Sequence, residues 1–312
     1  METYIFHEGA LPPGIRLDYE PSIFNLPQFG NLQDPASWVS FHLLDQRRKK
    51  AVAGIRFRIE ATSARSPGRA PFGSVEFSAG LNPVALYRFI ADFEDRLKGK
   101  GVTEVVVRNP PHAYDPAKSS LLETFFLNRK YQVQDAEVST VIPVNDTAFA
   151  DLIRDSERLR MLQSERAGFT FRKLSPDRLP EIYGFIARCH AEKGYKISIS
   201  LEELAKFFNA FPGHYHLFAV LDTDVRAAAV SIGVTKNVMY NFLANHEKGY
   251  NQLSPSVLLM DGIYQHCRNS GIGLLDLGTS ALEGKPNFPL LDFKLHVGGQ
   301  PTSKFSFYKK IG

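Results

Sequence analysis

Cysteine is scarce: Cys189 and Cys267 are the only two in 312 residues. Two thiols cannot knit a disulfide framework, and they read most simply as buried thiols of a reducing compartment. No run of about 18 apolar residues occurs, which excludes a membrane-spanning helix. The opening residues, METYIFHEGALPPG, lack a basic segment followed by an apolar one, so no secretory signal is readable. These absences lead to the expectation of a cytoplasmic chain. A dominant charge is also missing. Thirty-seven Lys and Arg against 33 Asp and Glu leave +4, which tolerates an anionic substrate such as a nucleotide or an RNA end without demanding one. An extended nucleic-acid footprint, DNA included, is not expected from so small an excess.

What is present suits folded domains. Hydrophobic residues make up 44% and charged residues 22%, enough apolar material for a core in each half. At roughly 100–200 residues per domain, the length suggests two domains or one large one. Strand-like alternation marks WVSFHLL and AVAGIRFRIEA, with the basic tetrad Arg47, Arg48, Lys49 and Lys50 between them as a solvated hairpin turn. PFGSVEFS reads as a strand. From Pro83 to Lys98 the apolar residues recur at helical spacing, and Gly99 and Gly101 stop the helix before VTEVVVR. The second half opens with a charged helix, Phe149 to Ala167. The strand FTFRKL and two helices, Pro176 to Lys193 and Ser200 to Phe211, come next. Ser200 with Glu203 forms a capping box. Three strands follow, HYHLFAVLD, RAAAVSIGVT and VMYNFLANH. A helix from Pro255 ends at Gly271, and LLDLG is the next strand. Both halves thus contain strand, polar turn with proline, helix, glycine and apolar strand, in SVEFS to EVVVR and again in YNFLA to LLDLG.

Standard motifs are absent. Gly271, Gly273 and Gly278 follow a helix and precede a strand, the reverse of a dinucleotide loop. No Walker sequence and no G-x-S-x-G elbow occurs. His214 and His216 share a strand face without a ligand partner, and Cys189–His190 and His266–Cys267 point about 100° apart on helices. No metal site is expected.

The polar residues concentrate between Asn245 and Lys294. His246, Glu247, Lys248, Tyr250, Asn251, Gln252, Ser254 and Ser256 gather between a strand and a helix. That helix N-terminus offers free N–H groups to an anion, while Ser254 reads equally as its N-cap. Asp276, Gly278 and Ser280 lie at a strand's C-terminal rim, where Asp276 either orients a substrate amine or caps the next turn. Lys294 sits in the apolar stretch LLDFKLHVGG. It either aims its charge at an oxyanion or snorkels to the surface.

The order helix, Gly271, LLDLGTS, LLDFKLHVGG and closing strand resembles the bacterial tandem GNAT-fold proteins that include the Fem-type (FemAB-like) aminoacyltransferases of peptidoglycan cross-bridge synthesis. In that family a D-x-G strand end precedes F-K-x-x-x-G, here Asp276, Gly278, Phe293, Lys294 and Gly298. PFGS, VTEVVVRNPPHAY and a Y-x-V strand resemble the family's first domain. The resemblance implies an α/β (mixed α+β) fold of two GNAT-like domains, each a mostly antiparallel sheet flanked by helices. Residues 1–147 would face the acceptor and 148–312 the donor. It implies acyl or aminoacyl transfer from acyl-CoA or aminoacyl-tRNA to a primary amine on a small molecule or peptide, with no permanently bound cofactor. Lys294 would then hold the oxyanion, with Glu247, His246 or the substrate itself as candidate bases. Asn251, Gln252, Ser254, Ser256 and Phe293 would bind the donor, and Asp276, Gly278, Ser280 and Tyr240 the substrate. Two features depart from the family. Pro255 stands where a CoA-binding loop has glycine, and the helical-hairpin arm associated with tRNA is absent. The alternative is a catalytically inactive module of the same fold that binds a small ligand or a protein.

Overall fold

The computed structural model describes residues 4–34, 37–282 and 284–312. The chain divides into two compact units, residues 1–137 with 303–312 and residues 138–302. It leaves the first unit within one strand and returns to it within the last. The division falls before the expected boundary at 147/148, and the final strand belongs with the first unit because of its hydrogen-bonded partner there.

The first unit contains β1 (Tyr4–Glu8), β2 (Arg16–Leu17), α1 (Pro27–Asn31), β3 (Trp38–Asp45), β4 (Lys50–Glu60), β5 (Ser63–Ser66) and β6 (Glu76–Phe77). After these come α2 (Pro83–Gly99), β7 (Glu104–Arg108), α3 (Pro116–Asn128) and the start of β8 (Gln132–Pro143). Its strands run in the order β1–β3–β4–β5–β7, antiparallel except for the β5–β7 pair. The basic tetrad does form the β3–β4 turn, and Arg48 and Lys50 both pair with Asp18. Of PFGSVEFS only Glu76 and Phe77 are strand. They pair with Ala53 and Gly54 of β4, on the edge that β5 uses further along. Hence β5 is the parallel neighbour of β7, and the first βαβ repeat is not a simple adjacent pair.

The second unit contains α4 (Phe149–Leu152), α5 (Asp155–Arg166), β9 (Thr170–Leu174), α6 (Leu179–Ala191), α7 (Leu201–Ala210), β10 (Tyr215–Leu221), β11 (Val225–Thr235) and β12 (Val238–His246). It continues with α8 (Pro255–Asn269), β13 (Leu274–Thr279), the short hairpin β14 (Ala281–Leu282) and β15 (Lys285–Pro286), and α9 (Phe288–His296). β16 (Gln300–Lys310) closes the chain. The single expected helix over 149–167 is broken, because Ile153 is extended and buried between α4 and α5. The capping box of Ser200 and Glu203 forms as the sequence predicts. The strand order is β8–β13–β12–β11–β10–β9, antiparallel except for β12 and β13, which α8 joins as a parallel crossover. Both units are therefore mixed, mostly antiparallel sheets flanked by helices.

Each unit has its own core. Phe41, Phe57, Phe89 and Phe93 pack between α2 and the first sheet. In the second, Met239, Leu259, Ile263, Tyr264 and Leu275 are fully or almost fully buried along α8. Gly262 lies on that face of α8 because a Cβ there would strike the Phe171 ring. Within the first unit, β16 pairs antiparallel with β7 and brings Lys309 to Glu94 on α2. Glu94 is 5% exposed and accepts from Arg129 Nε at 3.1 Å, Arg129 Nη2 at 2.7 Å and Lys309 Nζ at 2.7 Å. Removing it leaves two cations without their partner. Glu94→Ala is expected to lower the unfolding free energy by about 3–5 kcal/mol, measurable by urea denaturation.

Candidate functional site

The site originates where β12 and β13 part. The two strands share only three paired rungs, Val238 to Tyr240 against Leu274 to Asp276. Beyond them, each strand is irregular. Phe242 is an extra residue in β12 against β11, so Asn241 and Leu243 pair with consecutive residues of β11. The β13–β8 register slips between Asp276 and Thr279, where Gly278 adopts φ +77°. Bulges bend strands and re-aim side chains. Between the diverging ends opens a cavity of about 690 Å³. It is lined by β12 from Tyr240 to His246, by Asn251 and Ser256 near the α8 N-terminus, by Leu277 to Thr279, and by Pro289, Leu290, Phe293 and Lys294 of α9.

Asp276 is structural here. Its side chain is 1% exposed, and Oδ1 accepts from the Gly278 N–H at 2.7 Å and from Ser139 Oγ at 3.2 Å. It therefore caps the turn, and of its two readings this is the one the geometry shows. The turn holds the carbonyls of Gly278 and Thr279 so that both accept from Lys294 Nζ at 2.8 Å. Lys294 is 6% exposed and does not snorkel. Burial pushes its ammonium down to about 8, opposed by the Asp276 charge. An ammonium has three protons, and two carbonyls leave one to point elsewhere.

The same cavity is lined by a chain of three side chains that runs from α8 back to β12. Ser256 Oγ lies 2.8 Å from His246 Nδ1, and His246 Nε2 lies 2.7 Å from Asn251 Oδ1. With the amide oxygen accepting, Nε2 carries the proton and Nδ1 is left to accept from the serine. Burial lowers the imidazole's affinity for a second proton, only partly offset by Asn251. The rim adds Asn245, whose Oδ1 accepts from Lys193 Nζ at 2.6 Å and from the His246 N–H at 2.9 Å. Its Nδ2 lies 3.0 Å from His190 Nδ1.

The cavity thus gathers His246, Asn251, Ser256, Phe293, Lys294, Tyr240 and Gly278 from the residues singled out in the sequence. It does not gather Glu247, Gln252, Ser254, Asp276 or Ser280. Glu247 instead pairs with Arg226 at 2.8 Å. Ser254 occupies the cap position but makes no capping bond, because its backbone is left-handed at φ 48° rather than extended. Ser280 is buried at 2%, and its hydroxyl has no partner among the described residues. Lys193, Tyr195 and Asn241 were not singled out. The first two follow α6 by a loop whose sequence spacing carries no sign of its approach to β12. Among the described residues no cluster of His, Cys, Asp and Glu suited to a metal occurs, and no helix is long and apolar enough to cross a membrane.

Residues 152–294 match the acetyltransferase (GNAT) domain family. A search among curated proteins finds no match. Solved structures with the same fold include FemX, at TM-score 0.70 and 11% identity over 94% of each chain. A tandem GNAT protein from the clavulanic acid biosynthesis pathway is similar at TM-score 0.53 and 11% identity, covering 92% of this chain and 87% of that one. The C-terminal domain of a putative lysylphosphatidylglycerol synthetase from Agrobacterium fabrum gives 0.55 and 12%, covering 91% and 87%. The chain thus shares its fold with these structures, a tandem GNAT protein among them, as the family resemblance implies.

Gly278 is the residue on which the turn depends. A Cβ there would meet the Tyr240 ring at 3.3 Å and force an L-residue into left-handed backbone. Gly278→Ala is expected to lower stability by about 1–2 kcal/mol, measured by denaturant unfolding.

Proposed function

We propose that the second unit transfers an acyl or aminoacyl group from an activated carrier to a primary amine. The observation that carries this reading is that one cavity is lined both by a buried lysine ammonium and by the Ser256–His246–Asn251 chain. The amine nitrogen attacks the carbonyl carbon of the thioester or ester. A C–N bond forms, and the carbonyl electron pair moves to oxygen. Lys294 donates its third N–H to that oxyanion, which is worth most in a cavity that excludes water. The carbonyl then re-forms, and the C–S or C–O bond to the carrier breaks with the electron pair leaving on the carrier. The ammonium proton passes to Ser256 Oγ as the serine proton passes to His246 Nδ1. No acyl-enzyme is required.

His246 serves as the base in preference to Glu247, whose carboxylate is engaged by Arg226 away from the cavity. Its lowered pKa keeps it neutral and able to accept a proton at pH 7. Phe293 and Tyr240 supply apolar walls for the acyl chain. Asn251 and Ser256 border the α8 N-terminus, where a carrier would enter. Pro255 at the first helical position has no N–H to offer a pyrophosphate. Both carrier classes, acyl-CoA and aminoacyl-tRNA, present the same activated carbonyl to this cavity.

The test is product formation from a radiolabelled acyl-CoA or aminoacyl-tRNA and a panel of primary amines, each carrier in a separate arm. Lys294→Met is expected to reduce turnover by about 10²–10³-fold with little change in KM. Ser256→Ala and His246→Gln should each reduce turnover by about 10²-fold or more. The wild-type pH profile should be bell-shaped. Its alkaline limb falls near pH 8 as Lys294 loses its proton, and its acid limb lies below 6.5 as His246 gains one. Lys294→Met should abolish the alkaline limb while leaving the acid limb in place. Absence of transfer from either carrier, with every amine, would overturn the catalytic reading in favour of a binding module.

A further inference from the structure

The first unit contains a second, smaller cavity of about 150 Å³ that the transfer chemistry does not use. Its floor is a single rung of three neighbouring strands. His42 of β3 stands opposite Gly54 of β4, and Gly54 stands opposite Glu76 of β6. The missing side chain at Gly54 admits the Tyr19 hydroxyl to the floor, since a Cβ there would collide with it and come within 3.0 Å of His42 Nδ1. Arg56 lies two residues further along β4, on the same face and roughly 7 Å away. Its opposite neighbour is Ser40.

Arg56 is the unusual group. It is 8% exposed, yet among the described residues no carboxylate pairs with it. Nε donates to Ser40 Oγ at 3.0 Å and Nη1 donates to the Leu26 carbonyl at 2.8 Å. The Trp38 ring covers the guanidinium at 4.9 Å. These neutral contacts fix the fork's position and leave donors over, because a guanidinium has five N–H groups. A buried cation without a counter-ion costs several kcal/mol. On the opposite side of the floor, His42 Nδ1 is buried with no hydrogen-bond partner. Glu76 Oε1 accepts from the Ser22 N–H at 2.7 Å, and burial pushes its carboxyl up to about 7.

We propose that this cavity binds a small carboxylate of amino-acid size, whose carboxylate supplies the counter-charge to Arg56 while its other end lies beside the Tyr19 hydroxyl, toward His42 and Glu76. The volume suits a single small residue, since a cavity of this size accommodates roughly six heavy atoms, the number in alanine, so the acyl part of an N-acylated residue would extend out through the cavity mouth. The planar fork of Arg56 matches a carboxylate with two parallel bonds, which a ligand without that group cannot form. Two sources of such a carboxylate exist, a free amino acid and the C-terminal residue of a peptide. The walls differ for the two: Glu76 favours an ammonium group, and a peptide offers an amide instead.

The experiment is calorimetric titration of the full chain with alanine, N-acetylalanine and alaninamide. Alanine or N-acetylalanine is expected to bind, and which one binds more tightly identifies the source. Alaninamide, which lacks the carboxylate, should not bind. Arg56→Gln should weaken carboxylate binding at least about tenfold. Gly54→Ala displaces the Tyr19 hydroxyl into the cavity and should do the same, and it carries the test if Arg56→Gln does not fold. The amine-transfer activity of the second unit is not part of this readout, so failure there leaves the titration interpretable. The inference is overturned if neither carboxylate binds wild type at about 10 mM, if alaninamide binds as tightly as alanine, or if both folded variants bind like wild type.

Discussion

Separation of β12 from β13 after three rungs is the constraint on which the rest of the second unit depends. Parallel strands joined by a crossover helix would ordinarily stay paired along their length. Here the extra residue at Phe242 and the slip at Gly278 end the pairing, and backbone groups that would have satisfied one another must find other partners. Lys294 satisfies two of them, the carbonyls of Gly278 and Thr279. Its ammonium therefore does structural work at the rim of the cavity that its absence from the sheet would leave undone. The same desolvation that costs energy lowers its proton affinity and leaves one donor to act on a bound group.

The Ser256–His246–Asn251 part of the lining is held by a different device. Ser254 takes a left-handed conformation and Pro255 begins α8, which sets Ser256 on the first turn beside His246. Asn251, from the turn before the helix, secures the far nitrogen of the same ring. Each member of the chain comes from a different local structure, so its geometry is a product of packing. The first unit shows the same logic on a smaller scale, where a glycine on β4 and, two residues along, an arginine with no carboxylate partner among the described residues line a cavity with a charge of its own.

Much of the architecture was legible. The helical spacing from Pro83, the capping box at Ser200 and the strand–helix–strand order around α8 all reflect local periodicity and caps, which depend on near neighbours. The residues of the D-x-G and F-K-x-x-x-G segments meet at one turn, where Asp276 accepts from the Gly278 N–H and Lys294 donates to the Gly278 carbonyl. Other readings depended on contacts that sequence does not display. Glu247 resembled a base until Arg226, on the neighbouring strand, was found to engage it. Ser254 resembled a cap because its residue type and position fit, yet its backbone angle is set by the packing of the turn. Ser280 lies at the expected strand end but is buried rather than facing the cavity. Lys193 and Asn241 carried no signal, because what places them in the cavity is the approach of the loop after α6 and the bulge in β12.

The sequence by itself determined the two apolar cores, the element order and the chemistry available between Asn245 and Lys294. Alternation, helical spacing and turn residues are properties of short stretches, and they survive without knowledge of distant partners. Only the tertiary structure decided which of two readings each polar residue takes. Asp276 became a turn cap, Lys294 a buried donor, and His246 rather than Glu247 the ring that faces Ser256. The physical reason is that hydrogen-bond partnership and desolvation are set by residues far apart in the chain, and both exist only once the sheet has folded and its two central strands have parted.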